Sequence, residues 1–322
     1  MRCMVTGAAG FIGSNLVDRL LEAQHEVLGV DNLSTGHRQF LDAAFAHPRF
    51  TFRELDLINP AVLNALLGAV DHVFHLAANA DVRDGLKHPR KDLEQNTIVT
   101  WNVLEAMRQR GVKHITFTST GSVYGEAPVT PTPENCPFPV QTSLYGASKL
   151  AAEALISAYA EGYGIQGTVV RLVSILGERY THGHVFDFVK QLRADPTTIH
   201  VLGNGKQRKS YLHVTDFVEA VLHLAALEHS TTLEIYNVGT DEHVKVDDSL
   251  DVICDELGVN PKRTYAGGDR GWVGDNPFIF LDCTKLRATR WKPRMNIRDG
   301  VRATVRFLVA NPWVFDGPET AK

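Results

Sequence analysis

Residues 2–31 read RCMVTGAAGFIGSNLVDRLLEAQHEVLGVD. An apolar run at 2–6 enters a glycine-punctuated turn. A stretch at 11–23 then places Ile12, Leu16, Leu20 and Leu21 at helical spacing, and a second apolar run covers 26–31. This order predicts strand, tight turn, helix, strand. The turn, Gly7-Ala-Ala-Gly10-Phe11-Ile12-Gly13, has GxxGxxG spacing. Gly7 lets the chain turn sharply, Gly10 lets backbone approach a pyrophosphate, and Gly13 lets the helix sit close to the sheet. The helix N-terminus then offers free N–H groups and its positive dipole end to an anion. Asp31 ends the second strand, where a carboxylate can accept from both adenosine ribose hydroxyls and would repel a 2′-phosphate. No Arg occupies 32–36. The stretch therefore predicts an NAD cradle, with Gly7, Gly10, Phe11, Ile12, Gly13, Asp31 and Asn32 as contacts. Asp56 and Leu57, after the third strand, fit either the adenine or a bare turn.

Strand patterns continue at 50–55, 71–75, 114–119 and 166–172, with helical patterns at 61–67, 92–109 and 145–163 between them. Alternation of this kind specifies an α/β fold, a doubly wound parallel sheet with helices on both faces. After about Val173 the segments shorten: helices at 216–227, 247–257 and 298–309, a strand at 235–238, and a glycine-rich loop at 267–274. The expected division is a dinucleotide-binding domain over 1–173, rejoined by about 212–240, and a smaller mixed α/β substrate domain over 174–322.

Composition limits the function classes. The chain has 322 residues, 44% hydrophobic and 22% charged, with net charge −4. That is ordinary for a globular protein and argues against nucleic acid or an anionic membrane as the main partner. The four cysteines are scattered without a CxxC pair, which suits a reducing compartment. The chain enters a strand at once and holds no apolar run near the roughly 20 residues of a membrane span. No signal peptide and a cytoplasmic location are expected. His182, His184 and His213 lack the paired spacing of a zinc site, so no metal is expected.

Tyr145 and Lys149 begin the helix that follows the fifth strand, four residues apart and so on one face. An ammonium beside a phenol favours the phenolate and lowers its pKa from about 10, as acid–base work near neutrality requires.

Several motifs together resemble the extended short-chain dehydrogenase/reductases, and among them the NAD-dependent UDP-sugar 4-epimerases. They are Gly7-x-x-Gly10-x-x-Gly13, Asp31-Asn-Leu, His75-Leu-Ala-Ala, Ser119-Thr-Gly-Ser-Val-Tyr-Gly125, Tyr145-x-x-x-Lys149 and Ser210-Tyr-Leu-His-Val-Thr-Asp216. The resemblance covers nearly the whole chain. It implies a Rossmann-like fold, NAD as cofactor, and Leu76, Ala77 and Ala78 beside it. It implies Tyr145 as acid and base, Lys149 as its partner and ribose ligand, and Thr120 as the hydroxyl that binds the reacting sugar oxygen, with Ser122 close by. Family dehydratases carry Asp-Glu directly after the Thr, and UDP-glucuronate decarboxylases usually carry Glu at the second position. Here those positions are Gly121 and Ser122, which leaves a 4-keto sugar little to do but rotate and take hydride back. The implied activity is C4 epimerisation of a nucleotide sugar, UDP-glucose/UDP-galactose or a close relative, by an isomerase of carbohydrate metabolism. The resemblance places Lys209 and Arg270 at the diphosphate, with Arg83 a further basic loop residue. Ser174 stands where many sugar epimerases have Asn, and Ile279 where a bulky aromatic often restricts the pocket, so a uronate or N-acetylhexosamine remains open. Net oxidation, dehydration or decarboxylation of a nucleotide sugar and a non-catalytic NAD-binding role are the rival readings. The helix at about 92–110 and the one after Tyr145 are those the family uses to form a homodimer.

Overall fold

The computed structural model describes residues 1–82, 84–137, 140–228, 230–271 and 278–317. Six sheet strands come from residues 1–172: β1 (Arg2–Thr6), β2 (Glu26–Asp31), β3 (Phe50–Glu54), β4 (His72–His75), β5 (His114–Thr120) and β6 (Gln166–Leu172). Between them run α1 (Phe11–Glu22), α2 (Asp42–Phe45), α3 (Pro60–Leu66), α4 (Pro89–Asp92), α5 (Val99–Arg110) and α6 (Leu144–Tyr163). The later chain adds β7 (Ser174–Leu176), α7 (His184–Ala194), β8 (Thr198–Val201), β9 (Arg208–Lys209), β10 (Tyr211–His213), α8 (Val214–Ala225) and β11 (Leu233–Val238). It ends with β12 (Val244–Lys245), α9 (Val246–Leu257), β13 (Lys262–Tyr265), α10 (Thr284–Ala288) and α11 (Ile297–Ala310).

The central sheet has seven strands in the order β11-β6-β5-β4-β1-β2-β3, and every pairing in it is parallel. Parallel strands buried on both faces read as continuous apolar runs, which is why 2–6 and 166–172 show little alternation. Period two is still visible: adjacent Met4 and Val5 join opposite cores. On one face Met4, Val73, Ile115 and Val169 pack with Leu104 and Ile156. On the other Val5, Phe74 and Val170 pack with Leu16 of α1 and Phe217 of α8. Strand order reverses between β1 and β4, and open α/β sheets bind ligands beyond the strand C-termini at such a point.

The helix expected at 92–109 begins earlier and is irregular. A π turn at Leu93–Ile98 joins α4 to α5. The residues buried there, Asp92 and Asn96, are polar and Leu93 and Ile98 are exposed, so apolar periodicity does not reveal it. The short pairs β7·β10, β9·β12 and β8·β13 were not visible either, since runs of two to four residues carry too little pattern.

Candidate active site

The cradle is made by backbone and leaves no room for side chains. Gly7 sits at φ +70°, and a Cβ there would lie 2.9 Å from the Ala77 nitrogen. A Cβ on Gly13 would lie 2.0 Å from the Gly7 carbonyl oxygen, so α1 can approach β1 only through glycine. Gly10 caps α1 with no side-chain hydrogen bond, and no acidic residue occupies the first turn. Phe11 is buried and Ile12 partly so, with their peptide N–H groups in that first turn. This geometry fits a dinucleotide pyrophosphate.

Asp31 stands beside the cradle, only 8% exposed. Its oxygens accept from the Ala9 N–H at 2.9 Å and the Leu33 N–H at 2.8 Å, which fixes the carboxylate against the loop. Burial pushes its pKa up, and these backbone donors oppose that. Each oxygen keeps lone pairs for further donors. Asn32 donates to Asp56 at 3.3 Å, and Asp56 accepts from Ile58 N–H at 3.0 Å, so the β2 and β3 exits are tied together. Leu57 is buried. Leu76 and Ala77 donate their N–H groups to Thr6 Oγ1 at 3.1 Å, and Ala78 follows partly buried.

At the C-terminal end of β5, Thr120 is buried and its hydroxyl hydrogen-bonds that of Tyr145. Thr120 Oγ1 also accepts from Ser122 N–H at 3.1 Å, which caps the turn that follows. Ser143 Oγ accepts from Gly146 N–H at 3.0 Å, setting the N-terminus of α6 so that Tyr145 lies in its first turn. Lys149 is 2% exposed; its Nζ donates to Thr118 O at 2.7 Å and lies 4.4 Å from the Phe117 ring centroid. Burial lowers the Lys149 pKa to about 7. The expected depression of Tyr145 is corrected here. Burial raises its phenol to about 12, the Thr120 hydrogen bond opposes that rise, and the negative charge of Asp92 adds to it. The ammonium is aimed at a carbonyl of β5, and Lys149 is not among the groups that shift Tyr145.

A buried polar cluster beneath Tyr145 escaped the sequence reading. Asn96, inside the π turn, donates to Ser148 Oγ at 2.9 Å, and Ser148 donates to the Tyr145 carbonyl at 2.8 Å. Asp92 accepts from Asn79 at 2.8 Å. His75 is fully buried between Thr6 Oγ1 at 2.7 Å and Thr100 Oγ1 at 3.0 Å, and burial lowers its pKa to about 3. No sequence motif marks it: Asn79, Asp92 with Asn96, and Ser148 come from separate segments and meet only through the fold.

The substrate-side residues are less gathered. Gly121 packs under Ile279: a Cβ at 121 would lie 2.7 Å from Ile279 Cγ2. No larger side chain fits there without moving Ile279. Ser122 is partly buried, and Ser174 is exposed at the start of β7. Lys209 ends β9, and its charge reaches His184. Arg270 forms an ion pair with Glu126, both about half exposed. Arg83 lies outside the described residues, as does the end of the glycine-rich loop, 272–274. His184 sits between Tyr211 at 2.9 Å and Ser249 at 2.7 Å, His213 lies 3.3 Å from Glu178, and His182 stacks on Tyr180. Among the described residues no group of His, Cys, Asp and Glu could hold a metal ion, and no helix is long and apolar enough to cross a membrane.

A phosphate cradle at the switch point, with hydroxyl, phenol and ammonium gathered at the end of β5 and the start of α6, defines a dinucleotide-dependent enzyme. The chain belongs to the NAD dependent epimerase/dehydratase family, whose model matches residues 3–239. It is 34% identical over 316 residues to a UDP-glucose 4-epimerase of Mycolicibacterium smegmatis, covering 96% of this chain and 98% of that one. The crystal structure of a UDP-glucose 4-epimerase of Thermotoga maritima with UDP-glucose superposes with TM-score 0.87 at 30% identity, covering 97% and 100% of the two chains. That of Thermus thermophilus UDP-glucose 4-epimerase with NAD gives 0.84 at 32%, covering 96% and 99%.

Proposed function

We propose that the protein is an NAD-dependent isomerase that inverts C4 of a nucleotide sugar, with UDP-glucose and UDP-galactose as the substrate pair. One arrangement supports this most: Thr120 and Tyr145 share a hydrogen bond, Lys149 is buried one turn below, and the two positions after Thr120 are Gly121 and Ser122. The glycine cradle and Asp31 would hold the dinucleotide, which supplies a hydride acceptor when bound. Tyr145 takes the proton of the sugar's 4-hydroxyl and later returns it. Thr120 orients that oxygen. Lys149 spends one of its three donors on Thr118 O and keeps two for the neighbouring ribose. The space occupied by Ile279 over Gly121 leaves no place at that position for a carboxylate, so the 4-keto sugar is not drawn into elimination. Lys209 and Arg270 hold the diphosphate while the sugar turns, and firm positioning of this kind contributes heavily to rate.

Exposed apolar side chains on the α4–α6 side, Leu93, Trp101, Leu144 and Tyr163, support a homodimer through these helices. The cytoplasm is the compartment proposed, since the four cysteines are free.

The test is direct. Pure protein is incubated in deuterated water with UDP-glucose, UDP-galactose, UDP-glucuronate and UDP-N-acetylglucosamine, and products are followed by NMR. Interconversion of the first two without deuterium on carbon is the expected result. Accumulating NADH, or deuterium at C5, would move the reading to a dehydrogenase or to a dehydratase.

A further inference from the structure

Beneath the Tyr145–Lys149 pair lies a buried ion pair for which the proposed reaction has no use. Glu153 follows Lys149 by four residues, so Tyr145, Lys149 and Glu153 form one row along α6. Glu153 is 5% exposed and Arg171, on β6, is 1% exposed. Arg171 donates from Nη2 to Glu153 Oε2 at 2.7 Å and from Nε to both carboxylate oxygens at 3.1 and 3.2 Å. Its Nη1 donates to the Tyr124 hydroxyl at 2.7 Å and to the Glu134 carbonyl at 3.0 Å. Ser119 Oγ also donates to Glu153. Tyr124 in turn donates to Asn237 Oδ1 at 2.9 Å, and Asn237 donates to the carbonyls of Thr132 at 2.8 Å and Asp282 at 3.0 Å. The chain of bonds runs from α6 through β6 and the turn after β5 to β11 and the segment just beyond Ile279.

A buried pair of this kind is weak evidence for stability. Removing two charges from water costs several kcal/mol, and well-packed apolar residues often serve as well. What apolar residues cannot supply is a negative charge one turn from Lys149. The other groups facing Lys149 do not supply it. From β5 come the Thr118 carbonyl and the Phe117 ring. From β4 comes His75, neutral in its burial. Arg171 on β6 is positive and is engaged by Glu153, and the charge of Asp92 on α4 bears on Tyr145. Glu153 is the charge that opposes the lowering of Lys149 by burial.

We propose that Glu153, clamped one helical turn from Lys149 by Arg171 and Ser119, is a positioning residue that sets the charge state of Lys149, and that Arg171, Tyr124 and Asn237 tie it to the turn that follows Thr120. This rests on the reading above that Tyr145 and Lys149 serve the reaction.

Glu153→Gln alone strands a buried Arg171 and can fail to fold for that reason. The decisive variant is therefore the neutral double replacement Glu153→Gln with Arg171→Met, studied as the NAD-loaded protein. The first readout needs no turnover. The Lys149 ammonium is titrated by 15N NMR, its signal assigned by its loss in Lys149→Met. Its midpoint should fall, by less than the roughly one pH unit that loss of a carboxylate alone would give, because the opposing charge of Arg171 leaves with it. The second readout is the pH profile of turnover, whose alkaline limb should move the same way. Glu153→Asp, which keeps the charge beside an intact Arg171, should leave both near their wild-type values. An unmoved Lys149 midpoint in the folded double variant, with only the melting temperature lowered, overturns the proposal. A moved midpoint in a protein that turns over no nucleotide sugar supports Glu153 acting on Lys149 and overturns the reaction instead.

Discussion

The cradle around Gly7–Gly13 and the rim around Lys209 and Arg270 are built in opposite ways. The cradle is backbone against backbone: α1 passes so close to β1's exit that no Cβ fits at Gly13, and Asp31 is pinned by two peptide N–H groups. The rim consists of long side chains on short strands and loops, with Arg270 in an exposed ion pair with Glu126. A surface pair of that kind is worth about 0–1 kcal/mol, so a diphosphate can outbid it. The difference is between a shape fixed before any ligand arrives and a grip that forms on arrival. Cofactor held throughout turnover suits the first; a substrate that must enter, turn and leave suits the second.

The contrast can be broken at its strongest point by Gly13→Ala. The added methyl would overlap the Gly7 carbonyl, so the variant should lose more than about 3 kcal/mol of stability and release its NAD. Thermal melts, and NAD freed on denaturation of the purified protein, measure both. A variant that retains cofactor and melting temperature would mean the cradle is plastic.

Tyr145→Phe keeps the ring and removes the proton. NAD retention should be unchanged while turnover falls by about 10²–10⁴-fold, as for a lost acid–base group. Steady-state kinetics with UDP-galactose check this.

Acid should act on both regions at once. His75 lies within the sheet and His184 beneath the rim, and burial holds each at about 3 against an ordinary 6.5. Below 6.5 the unfolded chain binds protons that the native chain refuses. Stability is therefore complete above 6.5 and falls as pH drops toward 3, by about 1.4 kcal/mol per histidine for each pH unit. Urea melts at pH 7 and 5 give the slope, and the combination of His75→Gln with His184→Gln should flatten it. Lys149 acts on the alkaline side: lowered to about 7 from 10.5, it makes stability rise as pH increases between those values.

At the rim the effects are smaller. Arg270→Ala should raise KM about tenfold with melting unchanged. Glu126→Gln, which frees Arg270 from the exposed pair, should lower KM by no more than about fivefold. Equal stability losses in both variants would make the pair structural and erase the contrast.

Legibility followed the same line. Gly7, Gly10, Gly13 and Asp31 could be read because backbone constraints leave residue types at fixed spacing, and Tyr145 and Lys149 because a helix imposes four. The Glu153–Arg171 pair joins consecutive elements, α6 and β6, through the packing of helix on strand, which spacing alone does not fix, and the π turn at 93–98 buries the polar Asn96 where an apolar pattern has nothing to show. Where Lys149 points was misjudged for a related reason. Spacing puts it on the face of Tyr145, but the nearest carbonyl, Thr118 O, belongs to another element.

The seventh strand has a further consequence, for synthesis. Six strands of the sheet are complete at Leu172, yet β11, which pairs with β6 along its whole length, ends only at Val238. While the ribosome makes the intervening chain, β6 is an open edge whose peptide groups can recruit any passing strand. The nascent protein is therefore most exposed to aggregation when its nucleotide cradle is already made, and a gene cut at residue 173 would yield that vulnerable species permanently.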